Sequence, residues 1–313
     1  MSLKLAYFGL PLGALLLLAD GHELSFCALP PVDAPGLRRL KHRLKGRVLE
    51  AAALGDALDL EIESRLAEEA PDLLVSWFWT RKLKAAWLGL PRAGAIGVHP
   101  SLLPRHRGPN PYFWAIDCGD VETGVSVHRL EPEYDTGAIL EQERLEIGNR
   151  NAWQLARALD RPSLRCLRAT VARATRGLPA GQSQDSAQVT LAPEPRGELL
   201  RADFRSDTPR VLRRIRALSP VPGLALSIAD VAFFVTRAHP SAQFTQALLP
   251  GEAEIAQNRL VIRTGDGAIA VDAAVLCDEQ DEAGEEVSGE VLAEHMARVI
   301  ALTRGSSFKE GAG

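Results

Sequence analysis

The stretch LKLAYFGLPLGALLLLAD, Leu3–Asp20, decides the fold. Lys4 to Phe8 reads as a buried strand, because a short apolar run that ends at a turn signal suits the middle of a sheet. Gly9, Pro11 and Gly13 then form a turn, and an apolar helix follows to about Asp20. A strand, a tight glycine turn and a helix open an α/β domain. The GxxxG spacing of Gly9 and Gly13 is weak evidence for a nucleotide, since any tight strand-to-helix turn uses glycine. The run LGALLLLA is too short to span a bilayer and follows a strand rather than a basic leader. It reads as the first buried helix of a cytoplasmic protein with no membrane partner.

The same alternation continues outward. Residues 22–30 read as a second strand, Asp72 to Trp77 as a third introduced by a helix, and Ala95 to Val98 as a fourth. Thr123 to Leu130 and Ala138 to Leu145 alternate as strands do, and residues 152–175 carry a helical period. From about Pro179 to Arg201 the pattern dissolves into Gly, Pro, Ser, Gln and Asp, which marks a linker. Beyond it, DTPRVLRRIRAL is a helix that Asp207 or Thr208 can cap, with Pro209 in the first turn. Short strands at Val231–Ala238, Arg259–Thr264 and Ala268–Val275 follow, and a helix covers about Glu290 to Leu302. The expected organisation is a Rossmann-like α/β open sheet over residues 1–180, a linker over 181–204 and a small β-barrel-like, OB-type domain over 205–313.

Composition narrows the function classes. The 313 residues are 46% apolar and 24% charged, with a formal net charge of −4. This is ordinary globular chemistry without global attraction to nucleic acid. A local exception is GLRRLKHRLKGR, Gly36–Arg47, with six Lys or Arg residues and no acid. It reads either as a solvated helix face or as a contact for a phosphate backbone. Cys27, Cys118, Cys166 and Cys277 are far apart, with no CxxC pair, so neither a disulfide framework nor a metal site is expected.

The candidate site is GVHPSLLPRHRGPNPYFWAI, Gly97–Ile116, a proline-framed loop that follows the fourth strand. His99 lies at the carboxyl end of that strand, where open α/β sheets bind ligands. Asp135 lies in a turn between two strand-like runs. A carboxylate beside a histidine raises and orients its proton affinity, so the two would form an acid–base pair if the fold brings them together.

HPSLLPRHRG, ETGVSVH and YDTGAIL, in this order and spacing, resemble the folate-dependent formyltransferases, most closely the methionyl-tRNA formyltransferases. IRALSPVPGLAL and LVIRTGDGAIAV resemble the C-terminal domain of the same family, so the likeness covers nearly the whole chain. The resemblance implies 10-formyltetrahydrofolate as formyl donor and an amine as acceptor, with initiator methionyl-tRNA as the partner. It implies that Ser101, Leu102, Leu103 and Pro104 form the folate-binding loop, gripping a flat pterin with main-chain groups. His99 would donate to the developing oxyanion, and Asp135 would hold His99 and help to remove the amine proton. Two departures stand against it. Gly97 occupies the place of an Asn two residues before the His, and SWFWTRKL, Ser76–Leu83, is bulky where the family has a small-residue turn. An acceptor such as an amino sugar, or a catalytically silent binding protein, therefore remain open readings.

Overall fold

The computed structural model describes residues 2–228, 231–277 and 283–306. The chain forms two compact units, the first made of residues 2–111, 122–146 and 157–192 and the second of residues 112–121, 147–156 and 193–306.

The first unit is built on a seven-stranded sheet of β1 (Lys4–Gly9), β2 (Glu23–Leu29), β3 (Val48–Glu50), β4 (Leu73–Trp77), β5 (Ala95–His99), β6 (Glu122–Arg129) and β7 (Ile139–Glu146), in the order β3-β2-β1-β4-β5-β6-β7. The first five strands are parallel, and β6 and β7 add an antiparallel edge. Helices α1 (Pro11–Ala19), α2 (Leu37–Leu44), α3 (Ala51–Leu54), α4 (Leu58–Glu69) and α5 (Ala85–Leu88) form the crossovers. The expected open α/β sheet is present. The short β3 escaped the sequence reading because three residues are too few to show a period.

Strand order reverses between β1 and β4, which leaves a crevice at their carboxyl ends. Gly9 closes this point at φ 138°, and a Cβ there would lie 1.7 Å from the Trp77 carbonyl oxygen. The Leu10 N–H donates to that same carbonyl at 3.2 Å. A Cβ on Gly13 would meet the Tyr7 hydroxyl at 2.3 Å and Trp77 at 2.9 Å. The close approach of the β4 backbone to Gly9, and of α1 to the sheet at Gly13, thus accounts for both glycines without a nucleotide.

The bulky segment after β4 is largely core. Trp77 is buried and donates from Nε1 to Ser163 Oγ at 2.9 Å. Trp79 packs edge-to-face on Phe8, 5.6 Å between centroids, and joins the cluster of Phe8, Phe26 and Trp87.

In the second unit lie the residues of α6 (Pro111–Asp117) and α7 (Ala152–Ala174) that fall in 112–121 and 147–156, with α8 (Thr208–Leu218). There follow β8 (Leu224–Ile228), β9 (Val231–Pro240), β10 (Ala253–Ala256), β11 (Arg259–Arg263), β12 (Ala268–Cys277), β13 (Ala283–Ser288) and α9 (Gly289–Ser306). The strands are antiparallel and run β10-β11-β12-β9-β8, with β13 also paired to β12, curled into a half-barrel as expected. Asp207 caps α8 by accepting from the Arg210 N–H at 2.7 Å. Among the described residues no helix is long and apolar enough to cross a membrane.

One arginine of α8 organises its surroundings. Arg214 donates from Nε and Nη2 to the two oxygens of Asp117, at 2.6 and 2.9 Å. Its Nη1 donates to the carbonyls of Leu199 and Arg201 at 3.1 and 2.9 Å. The pair is enclosed, with side chains 14% and 9% exposed. Removing one partner of such a pair leaves a buried charge. Arg214→Ala is therefore expected to lower stability by about 3 kcal/mol in urea unfolding of the whole chain. Arg214→Lys recovers only part, because a point charge cannot satisfy this fork of acceptors.

Candidate active site

His99 ends β5, and β5 pairs antiparallel with β6 so that Gly97 faces His128 and His99 faces Ser126. Both histidines are nearly enclosed, His99 5% exposed and His128 2%. The turn between β6 and β7 brings Asp135 to them in a left-handed conformation, φ 57°. One carboxylate oxygen, Oδ2, lies 3.5 Å from His99 Nδ1, and the other, Oδ1, lies 3.5 Å from His128 Nε2. The Gly108 N–H donates to Oδ2 at 2.9 Å. The fold thus unites His99 and Asp135 and adds His128, which the sequence reading passed over. The signal was present in ETGVSVH, where strand alternation sets the side chain of His128 on the same face as that of Ser126.

The electrostatics follow from burial. Burial is the largest influence on His99 and lowers its pKa, and the attraction of Asp135 and the His106 carbonyl does not restore it. Burial also raises the cost of a charged Asp135. The hydrogen bond of His128, the charges of His99 and His128, and the Gly108 N–H outweigh that cost, so its pKa lies below the usual carboxylate value. The resting pair is a neutral imidazole beside an ionised carboxylate. Burial pushes the Cys166 thiol up to about 12, with Glu143 and Glu141 adding to the effect. Among the described residues no group of three His, Cys, Asp or Glu side chains is placed to hold a metal ion.

The Ser101–Pro104 loop is fixed by its own hydrogen bonds rather than by its prolines alone. The Ser126 hydroxyl donates to the Ser101 carbonyl at 2.7 Å and accepts from the Leu103 N–H at 3.0 Å. Gln142 Nε2 donates to the Leu103 carbonyl at 2.9 Å. The Ser101 hydroxyl donates to the Arg105 carbonyl at 2.6 Å, and His99 Nε2–H to the His106 carbonyl at 2.7 Å. The main chain that was expected to grip a ligand is largely engaged within the protein. Ser101 and Leu103 are buried, whereas Leu102 and Pro104 are half-buried, so these two are the loop side chains left to meet a ligand.

A second missed device is a strap. Residues 182–192, inside the stretch expected to be a linker, pack on the site. Gln184 Nε2 donates to the carbonyls of Asp135 and Gly137 at 2.7 and 2.8 Å, while its Oε1 accepts from Arg107 at 2.6 and 3.0 Å. Thr190 accepts from the His106 N–H at 2.8 Å, and Ala192 exchanges backbone bonds with Arg107 and Asn110. One amide side chain thus ties the Asp135 turn to the proline-framed loop. Its composition hid it, because Gly, Pro, Ser and Gln serve equally in free chain and in a strap held by polar contacts.

An open, mostly parallel sheet with an enclosed imidazole–carboxylate pair beyond its carboxyl ends is an arrangement suited to acid–base chemistry. The chain belongs to the formyl transferase family, matching the formyl transferase domain over residues 41–159 and the C-terminal formyl transferase domain over residues 198–294. It is 34% identical over 283 residues to a methionyl-tRNA formyltransferase of Anaeromyxobacter dehalogenans, covering 85% of this chain and 89% of that one. It is 31% identical over 266 residues to that of Thiobacillus denitrificans, covering 82% and 84%. With that of Koribacter versatilis the match, 32% identical, spans 66% of this chain and 65% of the relative. Among solved structures, HypX from Aquifex aeolicus in complex with tetrahydrofolic acid shares the fold at TM-score 0.66 and 20% identity, covering 93% of this chain and 47% of that one. An N-formyltransferase from Helicobacter canadensis shares it at TM-score 0.63 and 17% identity, covering 87% and 99%.

The formyl donor of the family is 10-formyltetrahydrofolate, and one feature just beyond the carboxyl end of β4 suits a flat heteroaromatic with ring acceptors. Trp79 Nε1, two residues beyond the carboxyl end of β4, is a buried donor with no hydrogen-bond partner in the protein. A bound acceptor would satisfy it.

Gln184→Ala is expected to lower kcat about tenfold by freeing the Asp135 turn, since small misplacements of catalytic groups carry large rate costs. Steady-state kinetics with far-UV circular dichroism as the folding control checks this, and Gln184→Glu, which keeps the acceptor but loses the donor, should fall equally.

Proposed function

We propose that the protein transfers the formyl group of 10-formyltetrahydrofolate to the amino group of methionyl-tRNA, with His99 and Asp135 as catalytic residues and Ser101, Leu102, Leu103 and Pro104 as the folate-side loop. The observation that carries this reading is the enclosed His99–Asp135 pair beside that loop, at 3.5 Å. When bound, the donor supplies an activated formyl carbon. The chain's own residues supply the rest. Negative charge builds on the formyl oxygen as the amine attacks, and fixed donors there contribute most to such a step. His99 Nε2–H reaches that oxygen by exchanging it for the His106 carbonyl, so its hydrogen bond is kept. Asp135, ionised at rest, would accept the proton that the amine loses, directly or through one water, and that proton would pass to N10 of the folate as the bond from N10 to the formyl carbon breaks, leaving tetrahydrofolate.

The tRNA reading draws its support from the relatives above and from α2. That helix buries Leu40 and Leu44 and exposes Arg38, Arg39, Lys41 and Arg43. Lys41 is held by Glu50 at 2.8 Å, which leaves Arg38, Arg39 and Arg43 as the cations to test. An exposed cationic face is common to both readings of this segment, a solvated helix face and a contact for a phosphate backbone.

Three outcomes are expected. With 10-formyltetrahydrofolate and charged methionyl-tRNA, His99→Ala and Asp135→Asn each lose at least about 10²-fold in formyl transfer at unchanged melting temperature. Turnover close to wild type in either variant overturns the assignment, and turnover on an amino-sugar nucleotide but not on the tRNA transfers the reading to that acceptor. Folate binding without turnover on either leaves a binding protein. Reversing Arg38, Arg39 and Arg43 to Glu weakens tRNA binding and flattens its salt dependence, measured at two ionic strengths, because each phosphate contact releases counterions. Finally, both pKa values in the pair are depressed, so its active, unprotonated form persists as pH falls from 7 through the ordinary imidazole value of about 6.5. The acid limb of kcat/KM lies below that value.

A further inference from the structure

His99 has two acceptors for the one proton of its neutral ring. The His106 carbonyl oxygen lies 2.7 Å from Nε2, and Asp135 Oδ2 lies 3.5 Å from Nδ1. A neutral imidazole carries its proton on one nitrogen only, so these two acceptors set the tautomer between them. The carboxylate is the stronger acceptor by charge. The carbonyl prevails by distance, because 3.5 Å falls outside the usual range of about 2.7–3.2 Å for such a bond. The proton therefore rests on Nε2. That is the tautomer the reaction needs. It places an N–H where the formyl oxygen gains charge, and it leaves Nδ1 free to accept from Asp135 once Asp135 holds the amine proton. With the proton on Nδ1, His99 would meet the developing oxyanion with a lone pair.

The His106 carbonyl is aimed by its surroundings. His106 is buried and left-handed, φ 58°, a conformation that side chains other than glycine seldom adopt. One residue of the strap holds the peptides on both sides of it. Thr190 Oγ1 accepts from the His106 N–H at 2.8 Å and fixes the peptide before. The Thr190 carbonyl accepts from the Arg107 N–H at 2.9 Å and fixes the peptide after. In a planar trans peptide the N–H and the C=O point in opposite directions. With the Arg107 N–H turned to Thr190, the His106 carbonyl is turned the other way, onto His99 Nε2. The Thr190 N–H also donates to the Pro104 carbonyl at 3.4 Å, so the strap residue is itself anchored to the loop.

We propose that Thr190 is a positioning residue of the formyl-transfer site: from the strap it fixes the left-handed His106, whose carbonyl keeps the His99 proton on Nε2. The inference rests on the formyl-transfer reading above and gives the strap a chemical role, the choice of tautomer in the catalytic imidazole.

The test uses the full chain, 10-formyltetrahydrofolate and charged methionyl-tRNA, with nitrogen NMR of histidine-labelled protein and the His99 signals assigned by their loss in His99→Gln. The wild-type ring is expected as the Nε2–H tautomer at neutral pH. Thr190→Val keeps the branched shape and the main-chain bonds but loses the Oγ1 acceptor. It is expected to lower kcat about tenfold with the KM for the folate unchanged, and to move part of the His99 population to Nδ1–H. Thr190→Ser, which keeps the hydroxyl, restores both. If the valine variant does not fold, Thr190→Ala removes the same acceptor with less bulk and gives the same comparison. A wild-type ring found as Nδ1–H overturns the proposal. So does a ring that stays wholly Nε2–H when the acceptor is removed, even with a reduced kcat, because Thr190 is then a structural support only. Equal impairment in Thr190→Ser overturns it as well. Absence of any wild-type turnover would sink the formyl-transfer reading instead, and the NMR comparison would still decide whether Thr190 sets the tautomer.

Discussion

The carboxylate of Asp135 is the point on which the first unit's site depends. It sits in a left-handed turn and is approached from every side by a different segment. His99 comes from the end of β5, His128 from β6, the Gly108 N–H from the proline-framed loop, and Gln184 fixes its own carbonyl from the strap. An ionised carboxylate enclosed to this degree is costly unless each oxygen has partners. The need to provide them explains why four stretches distant in sequence converge on one residue.

This convergence also explains what the residues disclosed and what they concealed. The sheet was legible because β1, β4 and β5 are buried on both faces and read as continuous apolar runs. His99 and Asp135 were legible because one ends a strand and the other sits in a glycine-bearing turn. The approach of His128 to Asp135 was not, since it depends on cross-strand pairing with β5, and pairing partners cannot be read from either strand alone. Gln184 was hidden for a related reason. Its value lies in two carbonyls and one guanidinium that only the folded chain places around it.

The same distinction applies to the arginines. In the sequence, α8 is a basic amphipathic helix, and its charge invites an external partner. In the fold, Arg214 is consumed by Asp117 and by carbonyls, and Arg216 by those of Gly148 and Arg150. Guanidinium groups here act as internal fasteners for irregular chain, a use that formal charge does not distinguish from ligand binding. By contrast, α2 keeps Arg38, Arg39 and Arg43 on an exposed face.

The strap has a consequence for how the site comes into being during synthesis. The His106 N–H and its acceptor Thr190 are 84 residues apart, and Arg107 and Gln184 are 77 apart. The sheet strands up to β5 can pair as soon as they emerge, but the loop and the Asp135 turn acquire their fastening only once residue 192 is free to fold back. Contacts of that separation carry the loop-closure cost and form late. A growing chain therefore holds a folded sheet before it holds the assembled candidate site, and a cut placed just after α7 would remove the strap that fastens that site.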